Sequence, residues 1–127
     1  MAKQNARQKI DLYFRKQVLD NFSEQSDFII HWFFELFKKA GLRLEKLEKY
    51  HVKVVENGYE HTGYFLLCPE EGGRIYRFVF SYKPSENYIL KILKPGKKRD
   101  VVINKAEYKE ISHKKVLEFL KQIGQLL

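Results

Sequence analysis

The apolar residues of the first forty positions recur at helical spacing. One set repeats every four residues: Ile10, Phe14, Val18 and Phe22. This set predicts a first helix over residues 5–21. A second helix is predicted over residues 23–40, with Ser23 as its N-cap and Gly41 as the residue that ends it.

The second predicted helix is apolar on almost every side. Its main stripe consists of Phe28, Ile29, Trp32, Phe33, Leu36, Phe37 and Ala40. Ile30 and Phe34 extend the apolar surface around the cylinder, and such a helix is buried on more than one side. We expect it to lie between the first helix and a sheet. A homodimer formed through this helix is the alternative.

From Tyr50 onward, apolar and polar residues alternate with the period of a strand, whereas residues 42–49 are ambiguous between a helical turn and a strand. Asn57-Gly58 predicts a two-residue hairpin turn with positive φ at both positions. That turn would place residue 64 opposite His51 and residue 54 opposite His61. The clearest strand spans residues 74–82, where alternate side chains share one face: Tyr76, Phe78, Phe80 and Tyr82.

Two further strands are predicted over residues 88–93 and 101–103, separated by a type II turn with Gly96 at its third position. Ser112 is expected to cap a closing helix, whose apolar face would be Val116, Leu120, Ile123 and Leu127. The sequence therefore predicts one α+β domain over residues 1–127. Its order is two N-terminal helices, a four- to five-stranded antiparallel β meander and a C-terminal helix.

Composition is consistent with a folded intracellular domain. Of the 127 residues 44% are hydrophobic and 15% aromatic, which is enough for a core. Cys68 is the only cysteine, and a small secreted domain would usually carry disulfides, so we expect a cytoplasmic location. No apolar run approaches the ~20 residues of a membrane span, so no membrane partner is expected.

Positive charge is concentrated in the last third of the chain. The net charge is +8, of which residues 1–90 hold +2 (14 basic against 12 acidic) and residues 91–127 hold +6 (10 against 4). A positive surface of this kind predicts contact with phosphates. The candidate nucleic-acid-binding residues are Lys91, Lys94, Lys97, Lys98, Arg99, Lys105, Lys109, Lys114 and Lys115. Tyr88 and Tyr108 are candidates for stacking on unpaired bases.

The sequence contains no diagnostic catalytic, cofactor or metal motif, so no catalytic residue, cofactor or metal site is predicted. His31 and Glu35 lie four residues apart on one helical face. They are either a functional pair or a histidine and a carboxylate that satisfy each other. His51 and His61 are expected to be exposed on strands, and His113 to join a basic face.

One stretch resembles a known family. Residues 73–80, 88–93 and 96–99 are similar to the central hairpin and basic exit of the RelE-type ribonuclease toxins, although those toxins begin with a strand. The resemblance implies a metal-independent ribonuclease, in which basic side chains handle phosphate and protons. The residues in that role would be Arg74, Arg77, Lys91 and Arg99.

Three functions follow from these observations. The first is a small, non-catalytic module that binds RNA or DNA through the basic region of residues 91–115. The second is a protein-interaction or inhibitor module that acts on a nucleic-acid-processing enzyme, because aromatic residues are enriched in interface cores. The third is the metal-independent ribonuclease. Steep salt dependence of binding is expected only where phosphates are contacted.

Overall fold

A computed structural model describes residues 22–56, 58–84 and 87–123, and the side chains of residues 29–56, 58–84 and 87–123. Its elements are α1 (Phe22–Lys39), β1 (Leu42–Val55), β2 (Gly58–Pro69), β3 (Tyr76–Tyr82), β4 (Tyr88–Lys94), β5 (Val101–Tyr108) and α2 (His113–Lys121). The first predicted helix, residues 5–21, lies outside the described residues.

The five strands form one sheet in chain order, β1-β2-β3-β4-β5, and each pairs antiparallel with the next. The α+β class and the antiparallel meander are therefore confirmed. The described residues contain two helices, one before the sheet and one after it. Neither of these helices combines the length and the apolar character that a membrane crossing would need.

Both helices pack on the same side of the sheet, which we call the helix face. Phe33 of α1 lies at the centre, with ring centroids 5.5 Å from Phe65, 5.8 Å from Phe78 and 4.9 Å from Phe80. Phe119 of α2 contacts Phe78 at 6.3 Å. The predicted common burial of Trp32, Phe33, Leu36 and Phe78 is confirmed. Aromatic packing of this density is what fixes the helices on the sheet.

The helix ends follow the expected chemistry only in part. Ser112 accepts a hydrogen bond from the Lys115 amide at 3.3 Å and caps α2 as predicted. Gly41 has φ +73° and ends α1, also as predicted. Ser23 lies inside α1 rather than at its cap, because the helix already includes Phe22. Leu127, expected on the apolar face of α2, lies outside the described residues.

Strand β1 begins at Leu42, so the ambiguous segment 42–49 is a strand. Its register against β2 shifts between Leu44 and Lys46 and again between Leu47 and Lys49. Each shift leaves one extra residue, Glu45 or Glu48, as in a β-bulge. These two extra residues bring the apolar side chains of β1 onto the helix face: Leu42, Leu44, Leu47, Tyr50, Val52 and Val54.

Two predicted turns differ from the structure. Gly58 pairs with Val55, so it belongs to β2 and is not a central residue of the two-residue turn predicted at 57 and 58. Thr62 therefore lies opposite His51. Gly58 does have positive φ, +141°. The φ of Gly96 lies outside the positive range, which excludes the type II turn.

Candidate nucleic-acid interface

The sheet side opposite the helices, which we call the open face, carries the candidate site. No described helix packs on it. The alternation of β2, β3 and β4 places the following side chains there: Thr62, Tyr64, Leu66, Arg77, Val79, Ser81, Ile89, Lys91 and Leu93. All of these side chains are half-buried. The open face is therefore a shallow, mixed surface of apolar and basic groups.

One row of paired residues crosses the middle of the open face. It consists of Lys49, Tyr64, Val79, Lys91 and Lys105, in strand order. Neighbouring strands lie ~4.8 Å apart, so the row spans about 19 Å. An aromatic ring and a branched aliphatic side chain lie in the middle, and lysines lie at both ends. This order suits a base stacked on Tyr64 with phosphates at the ends.

Lys91 and Lys105 lie directly opposite each other on β4 and β5. Like charges at paired positions destabilise a sheet. The Lys105 ammonium lies 3.2 Å from the Glu107 carboxylate, which partly offsets its charge. Lys91 has no ion-pair partner within the described chain. A bound anion between the two lysines would relieve their repulsion.

The next row toward the β4–β5 loop is organised by Arg77. Its Nε donates to Glu48 at 2.6 Å and its Nη2 donates to the same carboxylate at 3.1 Å. Its Nη1 forms an ion pair with Asp100, whose other oxygen accepts from the Gly96 amide at 3.4 Å. The hydrogen bonds that Arg77 donates to Glu48, followed by the one that it donates to Asp100, raise the pKa of Arg77 above its usual range. Arg77 therefore holds the β4–β5 loop to the sheet.

The structure divides the nine predicted basic residues into three groups. Lys91 and Lys105 lie at the β5 end of the row that crosses the open face, and four residues are exposed at the β4–β5 loop: Lys94, Lys97, Lys98 and Arg99. The remaining three lie beyond the other end of β5: Lys109, Lys114 and Lys115. The eight residues of β5 separate the two ends by about 23 Å. Lys115 lies on the helix side, 5.4 Å from the ring centroid of Tyr108. The nine residues therefore do not form one patch.

Neither predicted stacking tyrosine lies on the open face, and for Tyr88 the prediction is wrong. Tyr88 is fully buried on the helix face, and Tyr108 is half-buried on the same side. Tyr64 is the tyrosine of the open face, and Lys46 and Lys49 of β1 complete its basic border. The sequence did indicate the side of Tyr64, because successive residues of a strand face opposite sides and its neighbour Phe65 is a core residue.

A cavity that we call the basic hollow lies at the loop end of the open face, with a volume of about 670 Å³. The β2–β3 and β4–β5 loops form its sides. It is lined by Leu66, Gly73, Arg74, Ile75, Arg77, Lys94 and Pro95. Three cations and three apolar side chains therefore share one recess next to the basic loop.

A second cavity, of about 530 Å³, lies between α1 and the start of β1. Its floor is apolar, with Phe34 and Leu44, and its rim includes His31 and Glu35. Both of these rim residues are exposed. In the described part of the chain, no three metal-ligating side chains group closely enough to hold an ion.

His51 is exposed on β1 as predicted, whereas His61 and His113 differ from expectation. His61 is fully buried, not exposed, and its Nδ1 lies 3.0 Å from the Tyr50 hydroxyl. Burial lowers the pKa of His61 to about 4. His113 stacks on Trp32 with ring centroids 5.2 Å apart, so it belongs to the contact between the helices rather than to a basic face. Burial, followed by the charge of Lys39, lowers the pKa of His113.

Comparison with known proteins adds no identification. Protein families, curated proteins and solved structures were all compared with the chain, and none of them matches. Functional inference therefore depends on the geometry of the open face and its surroundings.

Proposed function

We propose that the protein is a non-catalytic module that binds single-stranded RNA or DNA across the open face of its sheet. The observation that carries this proposal is the row Lys49–Tyr64–Val79–Lys91–Lys105. Its paired lysines, Lys91 and Lys105, repel each other until an anion binds. Its central tyrosine offers a stacking surface that accepts any base. The proposal includes a cytoplasmic location, which the single cysteine of the sequence, Cys68, favours.

The exposed loop extends this surface. Lys94, Lys97, Lys98 and Arg99 lie around one short connection, so they produce a single local positive field. None of the four forms an ion pair within the described chain. They are therefore available to contact the phosphates of a nucleic-acid strand that extends past the β5 edge of the open face.

The test is binding of a fluorescent single strand of about 12 nucleotides, measured by anisotropy at about 50 and 200 mM salt. Lys91→Gln/Lys105→Gln should lower the slope of log affinity against log salt by about 1.4, since each single-strand phosphate contact contributes ~0.7. Tyr64→Ala should weaken binding by about tenfold at both salt concentrations, because a stacked base contributes ~1–3 kcal/mol.

The matched control is Lys38→Gln/Lys121→Gln, which removes the same charge from exposed positions of α1 and α2, on the helix side. It should bind like the parent. A second variant changes Lys94, Lys97, Lys98 and Arg99 to Gln and should flatten the salt dependence further. If all variants bind with the parent's affinity and salt slope, the lysines serve only to keep the surface soluble and the proposal is wrong.

A protein-interaction function is the second candidate, and the outer edge of β5 favours it. Val101, Val102 and Ile103 are exposed by 58%, 51% and 38%, on the last strand of the described sheet. An exposed apolar edge is a site for pairing with another strand. The neighbouring lysines would suit an acidic segment of a nucleic-acid-processing enzyme. Capture of such a partner would survive nuclease and be lost on Val101→Lys/Ile103→Lys.

A ribonuclease function would depend on four basic residues that have different surroundings in the structure: Arg74, Arg77, Lys91 and Arg99. Arg77 is engaged by two carboxylates, and Arg99 lies in the exposed loop. The binding assay tests this function directly, because labelled RNA incubated with the protein and a chelator would be shortened on a denaturing gel. Cleavage that Arg77→Gln abolishes would replace the binding proposal with the enzymatic one.

A further inference from the structure

The basic hollow contains two cations that the fold does not neutralise. Arg77 already contacts the carboxylates of Glu48 and Asp100, so it acts mainly as a wall of the recess. Arg74 and Lys94 also line the hollow and have no ion-pair partner in the described part of the chain. The hollow therefore has the charge to accept a dianion.

The remaining walls of the hollow are apolar. Ile75, in the β2–β3 loop, is exposed by 43% and offers its side chain to a ligand in the hollow. Leu66 forms the floor and Pro95 the opposite side. A volume of about 670 Å³ falls within the range of small-ligand sites. A fitting ligand thus combines an anionic group with a flat, weakly polar body.

We propose that the hollow binds the terminal phosphate of a nucleic-acid strand, with the terminal nucleotide packed against Ile75 and Pro95. This inference rests on the proposed function. A terminal phosphomonoester carries about −1.5 to −2 charges at neutral pH, whereas an internal phosphodiester carries one. Two free cations, Arg74 and Lys94, therefore favour a strand end over the interior of a strand. A guanidinium also matches phosphate oxygens in a bidentate way.

The position of the hollow supports a strand end. It lies at the loop end of the open face, beyond the row that contains Leu66 and Arg77. A single strand that crosses the row at Val79 and then turns to follow β3 would enter the hollow beside Arg77. The β2–β3 and β4–β5 loops border the recess that this strand would reach.

The test compares three otherwise identical single strands of about 12 nucleotides, with a 5′-phosphate, a 3′-phosphate or hydroxyls at both ends. The parent should bind at least one phosphorylated strand about five- to tenfold more tightly than the hydroxyl strand, because the hollow adds charge-assisted contacts. Arg74→Gln/Lys94→Gln should abolish that preference. Both residues are exposed, so the variant should fold, which a melting curve checks. Lys38→Gln/Lys121→Gln should keep the preference.

Competition identifies the ligand. Uridine monophosphate should displace the phosphorylated strand at a lower concentration than inorganic phosphate, and uridine should not displace it. Equal competition by the monophosphate and inorganic phosphate would overturn the role of Ile75 and Pro95.

Two results separate this inference from the function on which it rests. Equal affinity for all three strands, lost in Lys91→Gln/Lys105→Gln, would overturn the hollow and leave the open face standing. An end preference that depends on Arg74 and Lys94, together with no effect of the Lys91 and Lys105 changes, would support the hollow and contradict the proposed function.

Discussion

His61 should make the stability of the fold depend on pH. The side chain is fully buried on β2, next to the Tyr50 hydroxyl, and burial lowers its pKa from 6.5 to about 4. Burial also raises the pKa of Tyr50 well above 10, so both partners are neutral at neutral pH. Protonation of the imidazole would place an unsolvated charge in the core.

The sign and size follow from the two pKa values. Above pH 6.5 the imidazole is neutral in the folded and the unfolded chain, and it adds nothing. Between pH 6.5 and 4 the unfolded chain binds a proton that the folded chain does not, so stability falls as pH falls. At about pH 5, ~1.5 units below the pKa of 6.5 in the unfolded chain, the free energy of unfolding is lower by about 2 kcal/mol, at 1.36 kcal/mol per unit. Below pH 4 this loss is complete, at about 3 kcal/mol.

The assay is urea unfolding at several pH values between about 7 and 5, where titration of His61 is expected to dominate over that of the carboxyl groups. His61→Asn keeps a polar atom near the position of Nδ1 and cannot titrate, so its free energy of unfolding should change much less with pH. A smaller slope of the same sign should persist, because burial also lowers the pKa of His113. The control His51→Asn, on the exposed side of β1, should keep the parent's slope. Equal slopes for parent and His61→Asn would refute the reasoning.

Three further predictions concern stability at neutral pH, the first two measured by urea unfolding and the third by thermal unfolding. Phe33→Ala should cost about 3–5 kcal/mol, since it removes the ring at the centre of the core; a cost below 1 kcal/mol would contradict that placement. Gly63→Ala should cost about 1–3 kcal/mol, because an added Cβ would lie 2.8 Å from the Phe65 ring, and a neutral result would mean that the ring can move away. Gly58→Val should lower the melting temperature, since φ is +141° there; an unchanged value would show that the turn adapts.

The core strands were predictable because buried and less buried residues alternate with a period of two along their whole length. In β3 the alternation from Tyr76 to Tyr82 is unbroken, and the structure buries every second residue. In β1 the apolar residues Leu44, Leu47 and Tyr50 are three apart, which is also a helical spacing. The two bulges produce this spacing in a strand, and bulges depend on the pairing with β2, which a single segment does not contain.

The sequence predicted that the candidate site is basic, but not where its residues lie on the fold. Residues 91–115 are basic along the chain, but β5 separates the two ends of that segment, and Lys114 is carried onto α2. Lys46 and Lys49 border the open face on the β1 side. They lie there because the two bulges of β1 change which of its residues face each side of the sheet. The predicted turn was wrong at Gly58 because Asn57-Gly58 marks a hairpin without fixing which pair of residues closes it.

The two bulges of β1 also decide where the chain can lose a residue. A one-residue deletion inside β2 would move side chains to the opposite side of the sheet, so that Tyr64 would face the core and Phe65 the open face, since successive residues face opposite sides. Removal of Glu45 would instead leave Leu44 and Leu47 two positions apart on the same face. The strand would survive, but its outer edge would become straighter and better able to pair with a second molecule. The extra residues thus act as insertions that keep a long outer strand from recruiting other chains.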